Sequence, residues 1–297
     1  VLLFPNQNLI DVTVPPFIKQ IASGAFYHCN YNIKIEKQSL LELIDDYAFS
    51  ENTVLEDIFI PSHVKNIGDH AFNYGTNLKR VEFNENSNLE SIGRLSFAHS
   101  LIENFVVPPK VTRIGKLAFS MCSYLKRIEM PENLKIKELE RYTFTSTALE
   151  SILIPSYVEI IGDNVFTNCK FLKKVEFSAN SKLKIVGENA FKQSAIKSIE
   201  IPIHVTKICP YAFSYCGNLE RVIFSDQSEL QIIEKGAFSN SYINSFTIPS
   251  HVTEINNLCF RSCNQLENVA FSDHSEMKMI EKSAFEKCSK LRKVNIP

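Results

Sequence analysis

The sequence predicts a β-solenoid of about twelve coils, each 22–25 residues long. A single residue type marks the coils, since phenylalanine recurs at Phe26, Phe49, Phe72, Phe97, Phe119, Phe144, Phe166, Phe191, Phe213, Phe238, Phe260 and Phe285. Strand-like patterns recur in phase with these residues, and no linker or shift in composition interrupts them. The chain is therefore predicted to form one mainly-β domain over residues 1–297.

Each coil begins with a predicted strand. In 172–177 the pattern is L-x-x-V-x-F, which places Val175 and Phe177 on one face and Glu176 on the other. In alternate coils the strand ends in proline, as in Ile199-Glu200-Ile201-Pro202, because proline lacks the amide proton that a ladder needs.

A second segment reads V-x-x-I-G and then x-x-Ala-Phe-x-x-Cys. Val64 to Gly68 shows the first part, and 211–216 shows the second. We expect a short second strand or bend here, with glycine at a positive φ, followed by a turn or a short 3₁₀ segment. The phenylalanine should fill the widest part of the coil interior.

From Phe72 onward, steps of 25 and 22 residues alternate, so that the true period is 47. The extra residues fall almost wholly in the loop after the strand, and insertions map to one edge of a solenoid. We therefore expect one edge to carry a protruding loop on every second coil, at 84–88, 132–135, 178–181, 225–228 and 272–275.

Composition argues against nucleic-acid binding, membrane-surface binding and membrane spanning. The net charge of −1 leaves no electrostatic footprint for nucleic acid or an anionic membrane, and no apolar run is long enough to span a bilayer. The chain begins at Val1 and ends at Pro297 inside repeat-like sequence, which we interpret as a segment of a longer protein. Its uncapped ends could associate end to end.

All eight cysteines occupy repeat positions, so they are interpreted as small buried side chains and not as a disulfide framework. Six follow a marker phenylalanine by three residues, Cys259 stands in the place of alanine, and Cys209 replaces a glycine. Cys263 and Cys288 would lie about 5 Å apart in neighbouring coils, which keeps their oxidation open.

The combined string L-x-x-I-x-I-P-x-x-V-x-x-I-G-x-x-A-F-x-x-C resembles the BspA-like, Treponema-type leucine-rich repeat. Residues 199–216 show nearly all of it, and the match extends from about Leu9 to Pro297. Departures are small, since Cys209 replaces glycine, Gly75 replaces cysteine and half of the units lack proline.

The resemblance implies a right-handed leucine-rich-repeat solenoid with a parallel sheet on its concave face. It also implies a surface protein of the kind found in oral bacteria and parasitic protists, at the cell surface or outside the cell, whose partners are host-surface or extracellular proteins. No cofactor is implied.

The candidate binding residues are the outward positions of the first strand. They form a basic column beside an acidic one, with aliphatic residues among them: Arg80, Glu82, Val106, Arg127, Glu129, Leu153, Lys174, Glu176, Arg221 and Ile223. Two interpretations are open. The charges could pair and keep the face soluble, or arginine and aliphatic anchors could bind a protein ligand.

No catalytic or metal-binding motif is present, and His63, His204 and His251 share one surface repeat position. Two hypotheses remain. The first is a non-catalytic adhesion module that binds host proteins at the cell surface. The second is an intracellular scaffold or receptor-type repeat.

Overall fold

The computed structural model describes residues 11–295, which fall into two compact units. Unit 1 comprises the described residues up to Ile136 together with Thr143–Ala148, and unit 2 comprises Lys137–Tyr142 together with the residues from Leu149. Leu9, Ile10, Ile296 and Pro297, which the sequence assigns to repeats, lie outside the described residues. The single domain over 1–297, its handedness and its concave face stay predictions.

Both units are stacks of β-coils, and residues 11–295 contain no helix. Unit 1 contains β1 (Asp11–Val14), β2 (Gln20–Ile21), β3 (Asn32–Ile35), β4 (Leu43–Ile44), β5 (Asp57–Ile60), β6 (Asn66–Ile67), β7 (Arg80–Phe83), β8 (Ser91–Ile92), β9 (Asn104–Val106), β10 (Arg113–Ile114) and β11 (Arg127–Glu129). The odd-numbered strands are the predicted first strands of the coils, and the even-numbered ones are the short second strands.

Unit 2 repeats this arrangement. It contains β12 (Glu138–Leu139), β13 (Ser151–Ile154), β14 (Ile160–Ile161), β15 (Lys174–Phe177), β16 (Ile185–Val186), β17 (Ser198–Ile201), β18 (Lys207–Ile208), β19 (Arg221–Phe224), β20 (Ile232–Ile233), β21 (Ser245–Ile248), β22 (Glu254–Ile255), β23 (Asn268–Phe271), β24 (Met279–Ile280) and β25 (Lys293–Val294). The predicted solenoid of about twelve parallel β-coils is confirmed.

The two kinds of strand pair differently. The short strands form continuous parallel ladders, β2 to β10 in unit 1 and β12 to β24 in unit 2. The long strands form separate ladders: β1–β3, β5–β7, β9–β11, β13–β15, β17–β19 and β21–β23–β25. From β5 to β23 a coil whose strand is followed by Pro-x-x-Val thus pairs with the coil that comes after it, so the 47-residue period is also visible in the sheet.

The third side of each coil is a run of turns around the marker phenylalanine. The amides of Tyr47, Phe49 and Glu51 donate to carbonyl oxygens of the next coil at 2.7–2.9 Å. The amides between them donate three residues back within the same coil, as Ser50 does to Tyr47 at 3.1 Å. Alternate amides therefore bind coil to coil, which satisfies the backbone without a helix.

This alternation requires positive φ at the residues two before and two after each phenylalanine. Tyr47 and Glu51, with φ of 56° and 57°, flank Phe49 in this way. Gly24 and Gly236 are the only glycines among the positions that flank the twelve phenylalanines. The predicted positive φ of the Ile-Gly glycine was wrong, because Gly68, Gly93, Gly115, Gly162 and Gly187 do not adopt it.

The phenylalanine rings form the core of each unit. Successive rings from Phe26 to Phe144 in unit 1 are 4.9–5.6 Å apart with planes within 16°, and those from Phe166 to Phe285 in unit 2 are 5.2–5.6 Å apart within 12°. Offset stacking at this spacing adds to the apolar burial of each ring. The regular spacing of phenylalanine in the sequence is thus a stack of rings in space.

The cysteines are free thiols, five of them buried and three half-buried. Full burial was therefore wrong for Cys29, Cys209 and Cys288. Cys263 and Cys288 are not bonded to each other, and their thiols donate to the carbonyl oxygens of Phe238 and Phe260 at 3.1 and 3.0 Å. These contacts fix the thiols as hydrogen-bond donors inside the coil.

Candidate functional site

The outward residues of the long strands form the candidate surface, which we call the strand face. In β7, β15 and β19 the central apolar side chain is buried and its two neighbours are exposed. The first five predicted site residues, from Arg80 to Glu129, lie on the strand face of unit 1. The other five, from Leu153 to Ile223, lie on that of unit 2.

In unit 1 the predicted charges pair with one another. Arg80 lies 3.3 Å from Glu82 and 3.4 Å from Asp57, and Arg127 lies 3.2 Å from Glu129. These side chains are more than half exposed, so each pair contributes little to stability. Val106 stands beside Glu129 in the ladder register and is 57% exposed. This part of the face matches the soluble, self-paired interpretation.

In unit 2 the pairing of a basic residue with a glutamate two residues later holds at Lys174 and is lost at Arg221. Lys174 lies 2.8 Å from Glu176, but Ile223 occupies the acidic position two residues after Arg221. Arg221 has no ion pair within residues 11–295, and neither has Glu200, which faces Ile223 in the ladder register. One strand pair thus presents an unpaired cation, an unpaired anion and an aliphatic side chain that is 46% exposed.

We call Glu200, Arg221 and Ile223 the open triad. Strands β17 and β19 hold its members at fixed positions, because Ile199, Ile201 and Val222 anchor them in the core. Leu153 is exposed on β13 and stands opposite Glu176. The triad offers a charged and an apolar contact without first breaking an ion pair, which is the kind of anchor that protein interfaces favour.

Sequence reasoning missed a second surface, on the turn side of unit 1. Tyr47 stacks on His70 at 4.6 Å and Tyr74 stacks on His99 at 4.2 Å, with all four residues at positive φ. The left-handed backbone turns these side chains outward, and both tyrosine rings remain exposed. The signal was present as tyrosine and histidine two residues from a marker phenylalanine, but it requires the backbone conformation to be interpreted.

The histidines that the sequence placed at one repeat position are exposed, as predicted. His204 and His251 each lie 3.1 Å from a glutamate of the next coil, Glu229 and Glu276 respectively. No cluster that could hold a metal ion occurs in the described chain. These pairs tie the turn after one strand to the protruding loop of the next coil.

Comparison with known families decides the family. The model of the BspA type leucine rich repeat region matches six times, over residues 2–123, 90–220 and 184–297. The chain belongs to the BspA-type leucine-rich repeat family. The resemblance drawn from the sequence is therefore confirmed over its whole length, and with it the solenoid fold of leucine-rich repeat proteins.

Two solved structures of bacterial proteins are similar to this BspA-type chain. A leucine-rich repeat protein from Bacteroides ovatus matches with a TM-score of 0.64 and 25% identity, over 96% of this chain and 86% of that one. The pneumococcal vaccine antigen PcpA matches with a TM-score of 0.56 and 21% identity, over 96% and 67%. A sequence search of curated proteins gives no significant match. No helix within the described residues is long and apolar enough to cross a membrane.

Proposed function

We propose that this BspA-type chain is a non-catalytic protein-binding module that acts at the cell surface, as an adhesion module for host or extracellular proteins. The observation that supports it best is the open triad. Three other long strands pair their basic residue with a glutamate. Strands β17 and β19 instead leave Glu200 and Arg221 without an ion pair in the described chain and Ile223 exposed beside them. The chain belongs to a family of repeats that suits protein interaction. The cell-surface part of the proposal agrees with the description of PcpA as a vaccine antigen.

The test uses surface-biotinylated epithelial cells as the source of partners. Detergent extract is passed over the immobilised chain, over the double variant Arg221→Glu/Ile223→Ser, and over the matched control Arg127→Glu/Val106→Ser from unit 1. We expect the chain and the control to retain biotinylated proteins and the triad variant to retain at least about tenfold less. All three should melt at the same temperature, because the exchanged side chains are exposed.

Equal retention by the triad variant would exclude the triad as the binding site. Retention of unlabelled cytosolic proteins alone would favour the intracellular scaffold over the adhesion module.

A further inference from the structure

The position three residues after each marker phenylalanine alternates between two kinds of small side chain from Phe97 onward. In every second coil it holds a hydroxyl residue: Ser100, Thr147, Ser194 and Ser241. In the coils after these it holds a cysteine: Cys122, Cys169, Cys216 and Cys263. The next hydroxyl is due 47 residues after Ser241, but that residue is Cys288. At this position Cys263 and Cys288 are the one case in the sequence where neighbouring coils both carry cysteine, and we call them the thiol pair.

The other coils show what a cysteine at this position contacts. Cys122 Sγ lies 3.4 Å from the hydroxyl oxygen of Ser100, which holds the same position in the coil before it. Cys216 and Cys263 lie 3.4 and 3.3 Å from the equivalent serines of the coils before them. For Cys288 the side chain in that place belongs to Cys263, so a second thiol replaces the hydroxyl.

The backbone holds the thiol pair side by side. On one side of the pair the Ser262 amide donates to the carbonyl oxygen of Glu286 at 2.7 Å, and on the other the Arg292 amide donates to that of Glu267 at 2.9 Å. Strands bound in this way lie about 4.8 Å apart. A disulfide spans Cα atoms that are about 4.4–6.8 Å apart, so the two coils are at a suitable distance.

The two thiols differ in their access to solvent. Cys263 is fully buried and Cys288 is half-buried. Burial raises the pKa of Cys288, and a hydrogen bond from the Cys263 backbone acts in the opposite direction. Burial also raises the pKa of Cys263 to about 12. An oxidant therefore reaches Cys288 first, and the reaction is slow at neutral pH because both thiols stay protonated.

Cys259 is a third thiol of this region. It is fully buried, and after burial the neighbouring Cys263 and Cys288 also raise its pKa. Cys259 occupies the alanine position of the repeat, where the coils on either side carry Ala237 and Ala284. No cysteine thus stands in register with it, and it serves as an internal control.

We propose that the thiol pair is an oxidation site, at which a low-molecular-weight disulfide converts Cys263 and Cys288 into a disulfide that joins two neighbouring coils. The Cys288 thiolate attacks one sulfur of the oxidant, which forms a mixed disulfide and releases one small thiolate. The Cys263 thiolate then attacks the Cys288 sulfur, which releases the second small thiolate. The chain loses two hydrogen atoms and the oxidant becomes two thiols. Both cysteines give up weak hydrogen bonds to the carbonyl oxygens of Phe238 and Phe260.

The test oxidises the folded, reduced chain with oxidised glutathione, and the remaining thiols are then blocked in urea. We expect the intact mass to fall by two hydrogen atoms before blocking, and peptide mapping to find one crosslink, between Cys263 and Cys288. The reaction should be about tenfold faster at about pH 8.5 than at about pH 7.5, because the thiolate fraction rises tenfold per pH unit below the pKa. Hydrogen exchange of residues 284–292 should slow at least about tenfold on oxidation.

Two variants restore the ordinary residue of the repeat and are therefore expected to fold. Cys288→Ser should form no crosslink and should show no change in hydrogen exchange on oxidation. Cys259→Ala should form the same crosslink as the unaltered chain. A disulfide that contains Cys259 would overturn the proposal. So would glutathione retained on Cys288 without a protein disulfide, or eight free thiols after prolonged oxidation of the folded chain.

Discussion

A β-carbon on Gly93 would lie 2.5 Å from the carbonyl carbon of Gly68 in the preceding coil. The same contact recurs along the column, since a β-carbon on Gly115 would lie 2.8 Å from Gly93 and one on Gly187 would lie 2.6 Å from Gly162. Glycine is required here by the close approach of two backbones and not by backbone conformation. Coils that carry Cys209 or Glu234 at this position accommodate a side chain, so the approach is local.

We expect Gly93→Ala to destabilise the chain by about 1–3 kcal/mol, because the new methyl group must push two coils apart. Gly217→Ala is the matched control, since a β-carbon there meets no atom within 4 Å and Gly217 has no positive φ. Urea unfolding measures both variants. Equal stabilities for the two would refute the packing explanation.

The thiols should be inert in the folded chain. Burial raises the pKa of Cys122 and of Cys216 to about 11, so at neutral pH their thiolate fraction is very small, and both also donate to a phenylalanine carbonyl. Iodoacetamide at about pH 7.5 should modify Cys29 first and should leave the five buried thiols unmodified. Mass spectrometry after unfolding in urea should find all eight modified. Fast modification of Cys122 by iodoacetamide in the folded chain would contradict the burial of this thiol.

Acid should destabilise the turn side of unit 1 through His70. Burial, and then the nearby Arg94, lower the pKa of His70, while Asp69 and Asp46 act in the opposite direction. Arg94 Nη2 lies 3.0 Å from His70 Nε2, so this nitrogen accepts and the ring is neutral. Because the folded pKa lies below the unfolded one, the stabilisation is present above the unfolded pKa and is lost as the pH falls.

Urea unfolding at about pH 7.5 and about pH 5 tests this effect. The unaltered chain should lose more stability between the two values than His70→Gln does. His99, whose pKa is also lowered by burial, remains in both proteins and serves as the common background. Identical losses would show that His70 contributes nothing to the pH dependence.

The fold could be predicted from the sequence because each coil repeats the same constraints. The spacing of Phe26 to Phe285 identified the stacked rings, and alternation in 172–177 identified β15 with Val175 inside and Glu176 outside. The positive φ at Tyr47 and Glu51 could not be predicted, because side chains there are of any type. What selects that backbone is hydrogen bonding to the next coil, which a single coil does not reveal.

The site could be predicted in part. The repeat register identified the strand face, since exposed positions follow from alternation around Val222. The ion pairs of Arg80, Arg127 and Lys174 each join two residues of one strand. Glu200 and Arg221 lie on neighbouring strands and do not pair with each other, which depends on side-chain positions that the sequence does not give. The conformations of loops 178–183 and 225–230 could not be predicted, because the two loops have the same motif and still differ.

Site-specific photocrosslinking tests the recognition surface most directly. A benzophenone amino acid replaces Ile223 in one variant and Val106 in another, since both positions are exposed at the same place in the repeat, one in each unit. Each variant is irradiated on surface-biotinylated cells. We expect biotinylated adducts from position 223 and few from position 106. Adducts from position 106 alone, or in equal yield from both, would contradict recognition by the open triad.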